Sequence, residues 1–163
     1  MPAGSDQHSA LLRLYASQAG GAQDLRSAAA STAQMGRVCG DCHRQFQVKP
    51  RFLVGTAAPH GGSPKEEMGL HVWAAERMWE GLVGPEDYAW SSGAAALKEG
   101  WLDPGEIVAN PQDRETIRAM IKSIYDIGSR AEGTVSSEER AHLYGEFLTT
   151  CIDCHKVTGA IIR

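Results

Sequence analysis

The chain has 163 residues, 42% of them hydrophobic, which suffices for one core or for two small lobes sharing a cofactor. A formal net charge of −4 and a pI near 5.8 speak against nucleic acid as a partner and favour a basic patch on a partner protein. No run approaches the roughly 20 apolar residues of a membrane span.

Nearly every ordered stretch has helical rather than alternating period. Ser5 is positioned to cap a first helix on which His8, Leu11, Leu12 and Tyr15 share a face, and Gly20-Gly21 ends it. A second helix is expected from about Asp24 through an Ala-rich segment to just before Lys49-Pro50. Val48 to Lys65, with three Pro and three Gly, reads as a long loop of the kind that is functional or wraps a cofactor. The third helix carries Met68, His71, Val72, Ala75, Met78, Trp79 and Leu82 on one stripe. Gly84-Pro85 introduces a shorter helix through Tyr88, Trp90 and Leu97 that stops at Gly100. Beyond Pro104 and Pro111, Asp113 to about Arg130 forms another helix, with Ile117, Met120, Ile121, Ile124 and Ile127 inward. Ser136 or Ser137 caps the last helix, with Glu138 and Glu139 favourable in its first turn. Tyr144, Phe147, Leu148, Cys151 and His155 fall on or near one face of it.

All four cysteines belong to two copies of one pattern, Cys39-Gly40-Asp41-Cys42-His43 and Cys151-Ile152-Asp153-Cys154-His155. Cys-x-x-Cys-His is the attachment signature of c-type haem. Two thiols three apart on a helix share a face and can each bond one vinyl group of a porphyrin, while the histidine that follows turns its imidazole to the iron. The expected cofactors are therefore two covalently bound haems, with Cys39, Cys42, Cys151 and Cys154 as attachment points and His43 and His155 as proximal iron ligands. Zinc uses short cysteine pairs too, but gives no reason for a histidine directly after each. A thioredoxin-like dithiol would sit near a βαβ pattern, and no strand-rich stretch supplies one. Two structural disulfides would need no histidine either. The two segments leading into the motifs are alike in topology, helix running into Cys-x-x-Cys-His, rather than in sequence.

The closing segment, SSEERAHLYGEFLTTCIDCHKV from Ser136 to Val157, places its motif at the end of a helix that follows three earlier ones. In this it resembles the class II, or cytochrome c′-type, cytochromes over about residues 66–163. That resemblance implies a four-helix bundle, although the family carries one haem and this chain has a further motif in its first third. The expected fold is thus all-α, a helical bundle with a four-helix-bundle-like core and additional N-terminal haem-bearing helices. It is read as one domain over 1–163, with possible sub-lobes at 1–50 and 66–163 joined by the loop 51–65. Proteins resembling c-type cytochromes acquire haem outside the cytoplasm, which implies a periplasmic or extracytoplasmic location. Met1 to Gly20 lacks the features of a secretory leader, so the sequence reads as a mature form.

The sixth ligand of each iron decides function. His71 is the first candidate distal ligand, with Met78 on the same face as its substitute. His8, on an apolar stripe of the first helix, is the second. His142 shares a face with Glu146, Thr149 and Asp153 and reads as solvated, and His60 lies in the Gly/Pro loop. The leading expectation is a non-enzymatic electron carrier that passes single electrons across a short gap between the haems and on to donor and acceptor proteins. The alternative is a small-gas-binding or sensing protein with at least one five-coordinate haem. A small peroxidase wants a distal acid–base group that the sequence does not display, and a homo-oligomeric wire would suit a ligand as close to the terminus as His8.

Overall fold

The structure, a computed structural model, describes residues 4–55, 57–59, 62–100 and 102–159. Every regular element among them is a helix: α1 (Ser5–Gly20), α2 (Leu25–Gln45), α3 (Pro64–Val83), α4 (Asp87–Glu99), α5 (Pro104–Ile107), α6 (Pro111–Ala131) and α7 (Ser137–Thr158). The protein is an all-α helical bundle. The single turn α5 is the one element that the apolar periodicity does not announce, because four residues are too few to show a period.

Local chemistry sets most of the starts. Asp24 accepts from the Ser27 N–H at 2.8 Å, Ser63 and Glu66 form a reciprocal capping box, and Asn110 accepts from the Gln112 N–H at 3.0 Å. Ser136, not Ser137, caps α7. At α1 the expectation fails: Gly4, at φ 92°, is the cap residue, and Ser5 is already helical and makes no cap bond. A left-handed conformation suits glycine, so the helix starts one residue early.

Helices α3, α4, α6 and α7 close a four-helix ring. Its centre is filled by Met78, Leu82, Trp90, Leu97, Ile124, Leu143 and Phe147. The indole N–H of the buried Trp90 donates to the Ala131 carbonyl at 2.7 Å, tying α4 to the end of α6. Against this ring α2 lies along α7 and the end of α3, and α1 folds back on α2 from outside. Because Ala33 joins the common core, the helix bearing the first motif is built into the bundle.

Two contacts give the α2–α7 direction. Arg26 pairs with Asp153, while Ala30 and Ala33 face Gly145. As residue numbers rise on α2 they fall on α7, so the pair is antiparallel. Close approach depends on small residues: a Cβ on Gly145 would already be 3.6 Å from that of Ala33.

At the far end of α2, Gly40 lies directly on the Leu82 carbonyl, with no room for a Cβ. Gly40→Ala should therefore push α2 off α3 and destabilise the fold by about 1–3 kcal/mol, the usual cost of overpacking. A urea or thermal midpoint equal to that of the parent would contradict this packing.

Candidate functional site

The two motifs occupy equivalent places, each in the C-terminal turns of a long helix. Since α2 and α7 are antiparallel, those places are opposite ends of the bundle. The rise along α2 from Arg26, at the level of Asp153, to Cys42 is about 24 Å. The two motifs are therefore not neighbours, and the two cysteine pairs cannot share one metal ion. Among the described residues no three His, Cys, Asp or Glu side chains converge on a point. All four thiols are free.

The second motif opens into a cavity of about 460 Å³ between the first turns of α2, the start of α3, the middle of α6 and the end of α7. Cys151, Cys154 and His155 form one wall, and His71 and Met68 of α3 another. Most of the remaining lining is aliphatic, including Leu25, Ile121 and Leu148. Here the apolar periodicity of α6 divides: Ile117 and Ile127 enter the core, whereas Met120 and Ile121 line the cavity. Val72, expected on the buried stripe, is 59% exposed at the same cavity.

His71 is only 4% exposed, and neither ring nitrogen has a hydrogen-bond partner. Desolvation lowers its pKa to about 4, so the imidazole is neutral and its lone pair available at ordinary pH. On the opposite wall the buried Nδ1 of His155 is also unpartnered. Burial pushes the Cys151 thiol up to about 12 with a further contribution from Cys154, and burial raises Cys154 as well. Thiols held in their protonated form are poor nucleophiles for disulfide exchange, which goes against a thioredoxin-like role.

The first motif is built differently. Cys39, Cys42 and His43 are half-buried, and the His43 Nδ1–H donates to the Val83 carbonyl at 2.8 Å, fixing the ring and leaving Nε2 free. This is the arrangement by which a metal-binding histidine is oriented. Burial raises the Cys39 thiol, with Cys42 adding to the effect.

The candidate distal residues separate in space. His71 faces the second motif. His8 lies at the end of α2 that carries the first, its ring edge-on to Phe46 at 6.5 Å between centroids and its Nδ1–H donating to the Gly4 carbonyl at 3.0 Å. Met78 does not line the cavity: it lies seven residues beyond His71, about 10 Å further along α3, fully buried against Gly93 of α4. Met78, the expected substitute ligand, is thus a core residue that does not reach this cavity, where Met68 and Met120 are the methionines present. His142 is exposed and paired with Glu146 at 3.3 Å. His60 lies outside the described residues.

No family model matches this chain, and neither a curated protein nor a solved structure matches it significantly.

Two unpaired nitrogens in a buried imidazole are costly, so His71→Leu should stabilise the bare polypeptide by about 1–3 kcal/mol. The urea midpoint measures this, and a lower midpoint in the variant would mean that the imidazole is held by partners and belongs to the core.

Proposed function

We propose that this chain is an electron-transfer protein carrying two c-type haems, one at each end of the bundle. The observation that carries the proposal is His71: a neutral, buried, unpartnered imidazole across an apolar cavity from Cys151, Cys154 and His155. These residues fit the group. The cavity falls within the size range of cofactor sites and is mostly apolar, with a few polar atoms that lack partners of their own. When bound, a c-type haem supplies an iron that takes up and releases one electron.

The residues divide the remaining work. The Cys151 and Cys154 thiols would add across the two vinyl groups, each S–H becoming a C–S and a C–H bond, so that the group cannot dissociate. His155 and His71, on facing walls of the cavity, would both hold the iron, which suits an electron carrier rather than a gas-binding or peroxide-consuming site. Ile124, Phe147 and Leu148 would keep water from that side of the group and lower the local dielectric, which favours the form with less net charge. Two imidazoles work the other way, since His/His ligation holds the potential below that of His/Met. At the opposite end Cys39 and Cys42 would attach the other group, with His43, already oriented by Val83, as its proximal ligand and His8 as the candidate distal one.

Two ends about 24 Å apart along the axis suit a protein that accepts an electron from one partner and delivers it to another. Covalent haem implies maturation and work outside the cytoplasm. No helix among the described residues is long and apolar enough to cross a membrane.

Expression with haem-attachment machinery should give a protein whose mass and pyridine haemochrome count two haems. The double variants Cys39→Ser/Cys42→Ser and Cys151→Ser/Cys154→Ser should each retain one. In the holoprotein, His71→Ala should convert one haem from a sharp low-spin spectrum to a high-spin, carbon monoxide-reactive one. A parent that already binds carbon monoxide at the Cys151 haem would favour gas binding instead, and a protein without haem would end the proposal.

A further inference from the structure

His71 carries a second piece of information on the side turned to α4. Its Nε2 lies 3.2 Å from the point that a Cβ on Gly100 would occupy, and Oε2 of Glu67 lies 3.2 Å from the same point. Glu67 is one turn before His71 on α3, so the two side chains share a face. Glu67 Oε2, like both nitrogens of His71, is buried and has no hydrogen-bond partner. An acceptor and a potential donor thus converge, both unsatisfied, on a spot kept open because residue 100 has no side chain.

Resting on the haem reading above, we propose that Glu67 is the positioning residue of the second site, its carboxylate accepting the N–H of His71 while the other ring nitrogen serves the iron. A histidine bound to a metal through one nitrogen donates the other N–H to a carboxylate or carbonyl, which fixes ring orientation and makes the ligand more basic. No acceptor is paired with either nitrogen of His71, which leaves its N–H open to the Glu67 carboxylate. The two proximal histidines do not supply this kind of partner: His43 donates to a neutral carbonyl, and His155 Nδ1 has no partner. A carboxylate on His71 gives the second haem an anionic partner that a backbone carbonyl cannot match. Extra electron density on the ligand stabilises ferric iron, so the haem of Cys151 and Cys154 is held at a lower potential than the same two imidazoles would otherwise give. Gly100 is the third member of the device, because a methyl group there would stand between the carboxylate and the ring.

The test is spectroelectrochemistry of the haem-loaded protein with Glu67→Gln, Glu67→Asp, Gly100→Ala and His71→Ala. Glu67→Gln keeps the shape of the side chain and removes its charge. It should leave two haems and a low-spin spectrum but raise the potential of the second haem alone, changing its ferric/ferrous equilibrium by on the order of tenfold, about 59 mV for a one-electron couple. Glu67→Asp should restore part of that shift, and Gly100→Ala should move the potential in the same direction as Glu67→Gln. If Glu67→Gln leaves the potential and the ferric electron paramagnetic resonance spectrum of that haem at parental values while His71→Ala alters them, the role assigned to Glu67 is wrong and the ligand assignment survives. If His71→Ala changes nothing either, the coordination proposed for the second site falls with it.

Discussion

The antiparallel contact between α2 and α7 is the constraint on which the site depends. It is made where Ala30 and Ala33 meet Gly145, positions small enough to bring the two backbones close. One consequence is that the first turns of α2 wall the cavity at the end of α7, so the helix bearing the first motif completes the site of the second. The other is that the motifs, each terminal on its own helix, are carried to opposite ends. Lengthening either helix would change the separation of the motifs without altering the chemistry of either, whereas loosening the small-residue contact would open the cavity itself.

Buried polar groups elsewhere in the bundle show how unusual the cavity is. Arg140 is as buried as His71, yet its guanidinium donates to the Thr134 carbonyl at 2.9 Å and the Gly81 carbonyl at 3.4 Å, pairs with Asp87 and lies over the ring of Trp90. Arg77 bonds Ser92 and Glu80 and lies over Tyr88. Both are cross-braces between helices, with their desolvation offset where they lie. His71 has no such compensation, although it sits on a rigid helix among residues that could as well have been aliphatic. A group left unsatisfied inside a bundle that satisfies its buried arginines marks a place where something other than fold stability sets the residue.

Burial governs the thiols as well. Cys151, Cys154 and Cys39 are all shifted upward by desolvation, so these cysteines are shielded from the adventitious chemistry of a thiolate. At the second motif the lining that raises them is the apolar wall of the cavity. Shielding of the Cys151 and Cys154 thiols and an apolar wall facing His71 thus come from one set of aliphatic side chains on α2, α6 and α7.

By itself, the amino-acid sequence determined what is local. The helices, most of their caps and their inward faces follow from hydrophobic period and turn residues, which act within a few positions of one another. The two Cys-x-x-Cys-His motifs are legible for the same reason, since each lies within two turns of one helix. Tertiary structure alone decided what depends on how helices meet: that α2 and α7 run antiparallel, that the motifs are far apart, that His71 faces the second and His8 lies near the end of α2 that carries the first. His71 and Met78 look interchangeable on a helical wheel because seven residues return almost to the same angle, and only their neighbours along the axis separate them. Glu67 is invisible in the sequence for a related reason: one more acidic residue in the first turns of a helix gains meaning only when Gly100, on another helix's end, leaves room beside His71.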